Sequence, residues 1–316
     1  MSNRQLEGLA DLREVAHAAN DAIEHQDFHA FGDLMLHRLD ACRRVVDEEV
    51  WRTQIVLQLR QQPFYAISQQ DPFSFRATTK PRGYAGDAVL LDMLYRSPNI
   101  AEQLTRSTPA GQAIYNYWVN SPAAMAVRDR REYFLRQLVE IGMRKLEPEV
   151  LILACGHFRE AESVMRCSTL QGLKITCLDQ DPESCALVQT LWDDAGLGHR
   201  ITVINKSVRE VAKIERKFDL IYAAGLYDYL PLQAAQRLNA KLLSLVQPGG
   251  RIIVPNFLLS APNRASMELL QDWWLIFRDG PMIFDLLGDP STQRAGSVSY
   301  WEDAHASVGY AVFNAW

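Results

Sequence analysis

The chain has 316 residues, 48% of them hydrophobic and 22% charged, with a formal net charge of -5. That length allows one large or two modest globular domains, and the acidic balance argues against nucleic acid or an anionic membrane as the main partner. Five cysteines, an odd number with no C-x-x-C pair, fit a reduced cytoplasmic protein better than a disulfide framework, and no apolar run reaches membrane-spanning length.

Residues 1–146 read as helices. "LADLREVAHAANDAIE", "DFHAFGDLMLHRLDACRRVV" and "EEVWRTQIVLQLRQQ" place apolar residues three and four apart. An irregular stretch follows and ends in "TKPRGYAGDAVLLDML". There Pro81, Gly83 and Gly86 crowd the entry to a helix, Asp87 stands at the N-cap position, and Val89, Leu90, Met93 and Leu94 follow at helical spacing. Two glycines before a helix suit a phosphate cradle, a lid loop or a tight turn. In "SPAAMAVRDRREYFLRQLVEIGMRKL", Ser121 is an N-cap with Pro122 at the first helical position.

From about residue 147 the period changes. "EVLILAC", "KITCLDQD", "RITVINKS", "FDLIYAAG" and "PGGRIIVPNF" are apolar runs that alternate with helical segments, and "VGYAVFNAW" reads as a final strand. Strands apolar on both faces imply a parallel sheet covered by helices on both sides. A ligand in such a sheet sits beyond the carboxyl ends of the strands, at the point where strand order reverses.

Each strand end therefore matters. After the first, Gly156 lets backbone approach a ligand, but Phe158 and Glu160 stand where further glycines of a G-x-G-x-x-G would be. After the second, Asp179 can accept hydrogen bonds from both hydroxyls of a ribose. After the third, Asn205 and Ser207 can meet a base edge or simply line a polar loop. After the fourth, small residues precede Tyr227, Asp228 and Tyr229. His25 and His29 lie four apart without the Glu of a zinc helix, so no metal is expected.

Together, "ILACGHFREAE", "CLDQDP", "FDLIYAAGLYDYL" and "LVQPGGRIIVPNF" resemble class I S-adenosylmethionine-dependent methyltransferases, over about residues 148–316. In the first motif Ala154 replaces the family's acidic residue. More narrowly, "KPRGYAGD", "SPAAMAVRDRREYF", "GLYDYLP" and "ASMELLQDWWLIFRD" resemble a methyltransferase family associated with 3-hydroxypalmitic acid methyl ester, a match that spans both halves. The resemblance implies an α/β, Rossmann-like domain with a mostly parallel seven-stranded sheet at residues 147–316. It is preceded by an all-helical domain at 1–146 that acts as a lid contributing to the active site. It implies S-adenosyl-L-methionine as cofactor, bound through Ala154, Gly156, Glu160, Asp179, Gln180, Ser207, Val208, Ala224, Arg128 and Tyr84. Tyr227, Asp228 and Tyr84 are the expected catalytic residues, and Tyr229, Asn256, Glu268, Trp274 and Arg278 the expected acceptor contacts.

Methyl transfer to a carboxylate needs positioning and a positive clamp, for which Arg82, Arg264 and Arg278 are available. Transfer to an amine or guanidine needs a base, for which Asp228, Glu268, Asp272 and Glu302 are available. Carboxylate O-methylation of an acyl or amino-acid-like small molecule stands slightly ahead of N-methylation. The rival from another class is a non-catalytic nucleoside-binding protein with a degenerate methyltransferase fold. An NAD-dependent oxidoreductase fits less well, lacking G-x-G-x-x-G. The apolar helical half allows a homodimer.

Overall fold

The structure, a computed structural model, describes residues 3–289 and 294–316. Its contacts divide into two compact units. One runs to Val127 and includes Ala261–Trp274; the other is Arg128–Ser260 with Leu275–Trp316. The division expected near residue 146 falls instead inside the helix Pro122–Arg144. From Arg128 onward that helix packs on the sheet. Phe134 stacks on Tyr222 with ring centroids 4.1 Å apart, Tyr133 meets Trp301 and Tyr310 edge-on, and Glu140 pairs with Arg251. Sequence grammar changes where the period changes, whereas a compact unit ends where the contacts change.

The helical unit contains several short helices with sequence-encoded starts after the longer first helix, Asn3–Glu24. Asp71 caps Pro72–Thr79 through the Phe73 and Ser74 amides, and Thr108 caps Pro109–Trp118 through the Gly111 amide. Asp87 caps Ala88–Leu94 as expected, accepting the Leu90 N–H at 2.8 Å, and its two oxygens also take a bidentate contact from Arg76 at 2.9 and 2.7 Å. The preceding helix ends at Lys80 in a left-handed conformation, φ +49°, and Lys80 reaches Asp272 at 2.5 Å. The "KPRGYAG" loop is thus tied at both ends by charged pairs.

The segment Ala261–Trp274 belongs to the helical unit because its polar groups are answered there. Glu268, 1% exposed, accepts from Arg43 at 2.7 Å and Arg264 at 2.9 Å. Asp272 accepts from Arg60 and Lys80, and the Asn263 side chain accepts the Ala123 amide. A buried carboxylate in a low-dielectric interior is tolerable only with such partners.

The second unit holds a seven-stranded sheet in the order β3-β2-β1-β4-β5-β7-β6. Its strands are β1 (Glu149–Leu153), β2 (Lys174–Asp179), β3 (Ile201–Asn205), β4 (Phe218–Tyr222), β5 (Val246–Phe257), β6 (Gly296–Glu302) and β7 (Val308–Ala315). The first five are parallel; β7 runs antiparallel to β5, and β6 antiparallel to β7. Val150–Leu153 and all of β4 are buried, as strands covered on both faces require. β6 alternates exposed and half-buried residues, an edge-strand pattern, and the sequence reading did not single it out. Strand order reverses between β1 and β4, so the ligand crevice opens beyond Leu153 and Tyr222.

Candidate functional site

The turn out of β1 holds three left-handed residues in five: Ala154 at φ +49°, Gly156 at +52° and Phe158 at +43°. A left-handed non-glycine residue costs about 1–2 kcal/mol, and such strain concentrates at ligand-binding turns. The fold therefore keeps a glycine-type loop while the sequence supplies only one glycine. Phe158 holds the position a second glycine would take by burying its ring, 2% exposed, parallel to Trp192.

Asp179 anchors that turn. One carboxylate oxygen accepts the Gly156 N–H at 2.8 Å and the other the Asp181 N–H at 2.9 Å. Burial raises its pKa above the ordinary value, and those amides pull it back. Asp181 caps Pro182–Asp194 through the Glu183 and Ser184 amides. Asn205 donates to the Asp179 carbonyl, and Ser207 caps the short turn Val208–Lys213. Val208 packs against the core while Gln180 is exposed. Gly156, Asp179, Gln180 and Ser207 thus share the crevice edge of β1, β2 and β3.

The β4 end departs from expectation. Tyr227 is not a pocket aromatic: it is 1% exposed and donates its hydroxyl to the Asn239 side chain at 2.5 Å, and Asn239 in turn donates to the Leu286 carbonyl. Arg278 is not a free clamp. It is 4% exposed and donates to the Tyr227 carbonyl, to Asn256 Oδ1 and to the Leu230 carbonyl. Asn256 adds bonds to the Phe257 and Ile276 carbonyls. These residues stitch the loop after β4 to the loop after β5. Asp228, buried, accepts the Phe257 N–H at 2.7 Å; burial pushes its pKa up, opposed by the charge of Arg130, the Phe257 amide and Arg278. Ala224 is half-buried and Tyr229 exposed at the rim.

Two expected acceptor contacts lie in the helical unit and are committed there. Glu268 sits between Arg43 and Arg264. Trp274 donates to Asp272 at 2.8 Å under the Arg52 guanidinium, 4.8 Å from its ring centroid. Tyr84, in the same unit, is half-buried.

Sequence reasoning named Arg128 and passed over Arg130. Arg130 is 3% exposed, and its Nε and Nη1 have no hydrogen-bond partner among the described residues. Its guanidinium lies 6.0 Å from the Phe257 ring centroid, and a Cβ built on Gly225 would sit 3.8 Å from its Nη2. Glu160, 8% exposed, is close enough to feel the charges of Arg131 and Arg130. A signal was present. Val127, Arg130, Phe134 and Leu138 fall at helical three-and-four spacing, which puts Arg130 on the apolar stripe. A buried charge on such a stripe is costly unless it is paired.

A methyltransferase-domain family matches residues 150–250. No curated protein matches the chain. A solved structure of a possible exported protein from Bordetella parapertussis superposes over 100% of this chain and 99% of its own, with TM-score 0.58 and 16% identity. An O-methyltransferase family protein from Burkholderia thailandensis aligns over 100% and 98% at TM-score 0.46 and 16% identity. Magnesium protoporphyrin IX methyltransferase from Synechocystis PCC 6803, solved with bound SAH, aligns over 61% and 86% at TM-score 0.44 and 13% identity. The sheet unit is that of an S-adenosylmethionine-dependent methyltransferase. Its residues fit the cofactor: Asp179 at the β2 end suits a ribose, the strained turn at Gly156 exposes backbone, and the orphaned Arg130 donors suit a carboxylate.

Proposed function

We propose that the chain transfers a methyl group to a carboxylate oxygen of a small acyl or amino-acid-like molecule. S-adenosylmethionine supplies the activated methyl on a cationic sulfur. A carboxylate acceptor is already the nucleophile at neutral pH, so the protein must orient it, exclude water and need not remove a proton. The observation that carries this is the state of the β4 rim. The hydroxyl of Tyr227 is held by Asn239, and the carboxylate of Asp228 is held by the Phe257 amide beside Arg130 and Arg278. Groups so engaged are poor bases for an amine. The resemblance of motifs in both halves to a family associated with a methyl ester product supports the same reading.

N-methylation of a small amine is the second reading, favoured by the raised pKa of Asp228, which moves that carboxylate toward the range of a working base. Mass spectrometry of a panel of carboxylic acids, amino acids and guanidines with labelled donor decides between them. Labelled esters are expected; methylated amines with inert carboxylates would overturn the proposal.

A further inference from the structure

We infer that the open edge of the sheet, strand β6, pairs antiparallel with the same strand of a second copy of this chain, joining the two sheets about a two-fold axis. This self-association is independent of any reading of donor or acceptor. It places the contact in the sheet unit, whereas the apolar pattern of the sequence pointed to the helical half.

β6 (Gly296–Glu302) ends the sheet. All seven of its residues pair with β7, and among the described residues no strand lies on its other side. An edge strand presents unpaired N–H and C=O groups outward, and stable folds blunt such edges with Lys, Pro, bulges or very short strands. β6 uses none of these. Its sequence, "GSVSYWE", holds no Lys, Arg or Pro, and its register on β7 is unbroken. Its single charge is Glu302 at the very end, where the carboxylate accepts the Tyr300 hydroxyl at 2.7 Å. The opposite edge, β3, is shorter, with five residues, and runs directly into Lys206.

Apolar surface borders the same edge. Helix Gly280–Asp285 lies against β6: a Cβ on Gly280 would sit 3.2 Å from the Tyr300 ring, and the Phe284 and Tyr300 ring centroids are 5.4 Å apart. Yet Met282 is 47% exposed and Phe284 38%. Exposed apolar side chains beside an unblunted edge mark an interface.

The geometry of the strand selects the partner. Two identical strands running antiparallel are self-complementary, each meeting the other's equivalent groups across the axis. That arrangement sends the two Glu302 carboxylates to opposite ends of the pair, so no like charges face each other. A two-fold axis perpendicular to the sheet also keeps corresponding faces on one side. Met282 and Phe284 of both copies then flank the seam and lose their exposure. Because each copy spends its one unblunted edge, assembly closes at the dimer.

Sedimentation velocity of the full chain over a nanomolar-to-micromolar dilution series tests this, with a dimer expected. Ser297 and Ser299 are exposed on one face of β6, so charges placed there cross the seam without entering the core. The double variant Ser297→Lys, Ser299→Lys should raise the dimer Kd about 2- to 30-fold, as two opposed like-charge pairs do, and so should Ser297→Glu, Ser299→Glu. An equal mixture of the two variants should form a mixed dimer at least as tight as the parent, which also shows that both are folded. A parent that sediments as a monomer throughout, variants that dimerise as the parent does, a mixture no tighter than its components, or an open series of larger assemblies would each overturn the pairing.

Discussion

Phe158 offers a sharp test of how the glycine-poor turn is held. Its φ of +43° is one that side-chain-bearing residues avoid, and its ring is 2% exposed against Trp192, with centroids 6.3 Å apart and planes 4° from parallel. Truncation to Ala removes the ring and leaves the backbone strain, with an expected loss of about 3–5 kcal/mol. Truncation to Gly removes the same ring but also relieves about 1–2 kcal/mol of left-handed strain. Against that stands the greater freedom of glycine in the unfolded chain, about 0.5–1 kcal/mol. Phe158→Gly should therefore be more stable than Phe158→Ala by roughly 0.5–1 kcal/mol, the reverse of the ordinary order in a helix or strand. Urea titrations of the two variants and the parent, followed by circular dichroism, give the order from their midpoints. If Phe158→Ala equals or exceeds Phe158→Gly, the turn does not impose a left-handed residue there, and the view of a glycine-type loop held by an aromatic anchor fails.

Asp179→Ala should weaken S-adenosylhomocysteine at least about tenfold in calorimetry with an unchanged circular dichroism spectrum, because a charged acceptor is lost; unchanged affinity would misplace the ribose. Tyr227→Phe leaves Asn239 Oδ1 without its donor in the core, so a loss of about 1–3 kcal/mol is expected with kcat unaltered. A tenfold fall in kcat at unchanged stability would restore Tyr227 to the chemistry. Asp71 is fully buried and its carboxyl is pushed up to about 7 from 3.8, desolvation outweighing the Ser74 hydroxyl and the Phe73 and Ser74 amides. The folded state thus holds a proton that the unfolded chain has lost, and stability falls as pH rises from about 4 to about 7, then levels. Urea midpoints at pH 5 and pH 8 should differ less in Asp71→Asn than in the parent; equal differences would assign that dependence to other groups.

Sequence alone determined the sheet unit, because period and punctuation are local properties. Continuous apolar runs announced β1 and β4, Asp87 announced a helix start, and Gly156 and Asp179 fell at strand ends where topology puts a ligand. β6 escaped because an edge strand buries little and carries a weak pattern. Tertiary structure alone decided which polar residues are available. Tyr227, Arg278 and Asn256 read as a functional rim, yet each is committed to partners 12 to 51 positions away in sequence. Glu268 and Trp274, close in sequence to the sheet, answer charges from the first 60 residues. Arg130 shows the converse. Its place on an apolar stripe was legible in the sequence, but its burial with Nε and Nη1 unbonded among the described residues was not. Hydrogen-bond satisfaction is a property of neighbours in space, and a sequence records only neighbours along the chain.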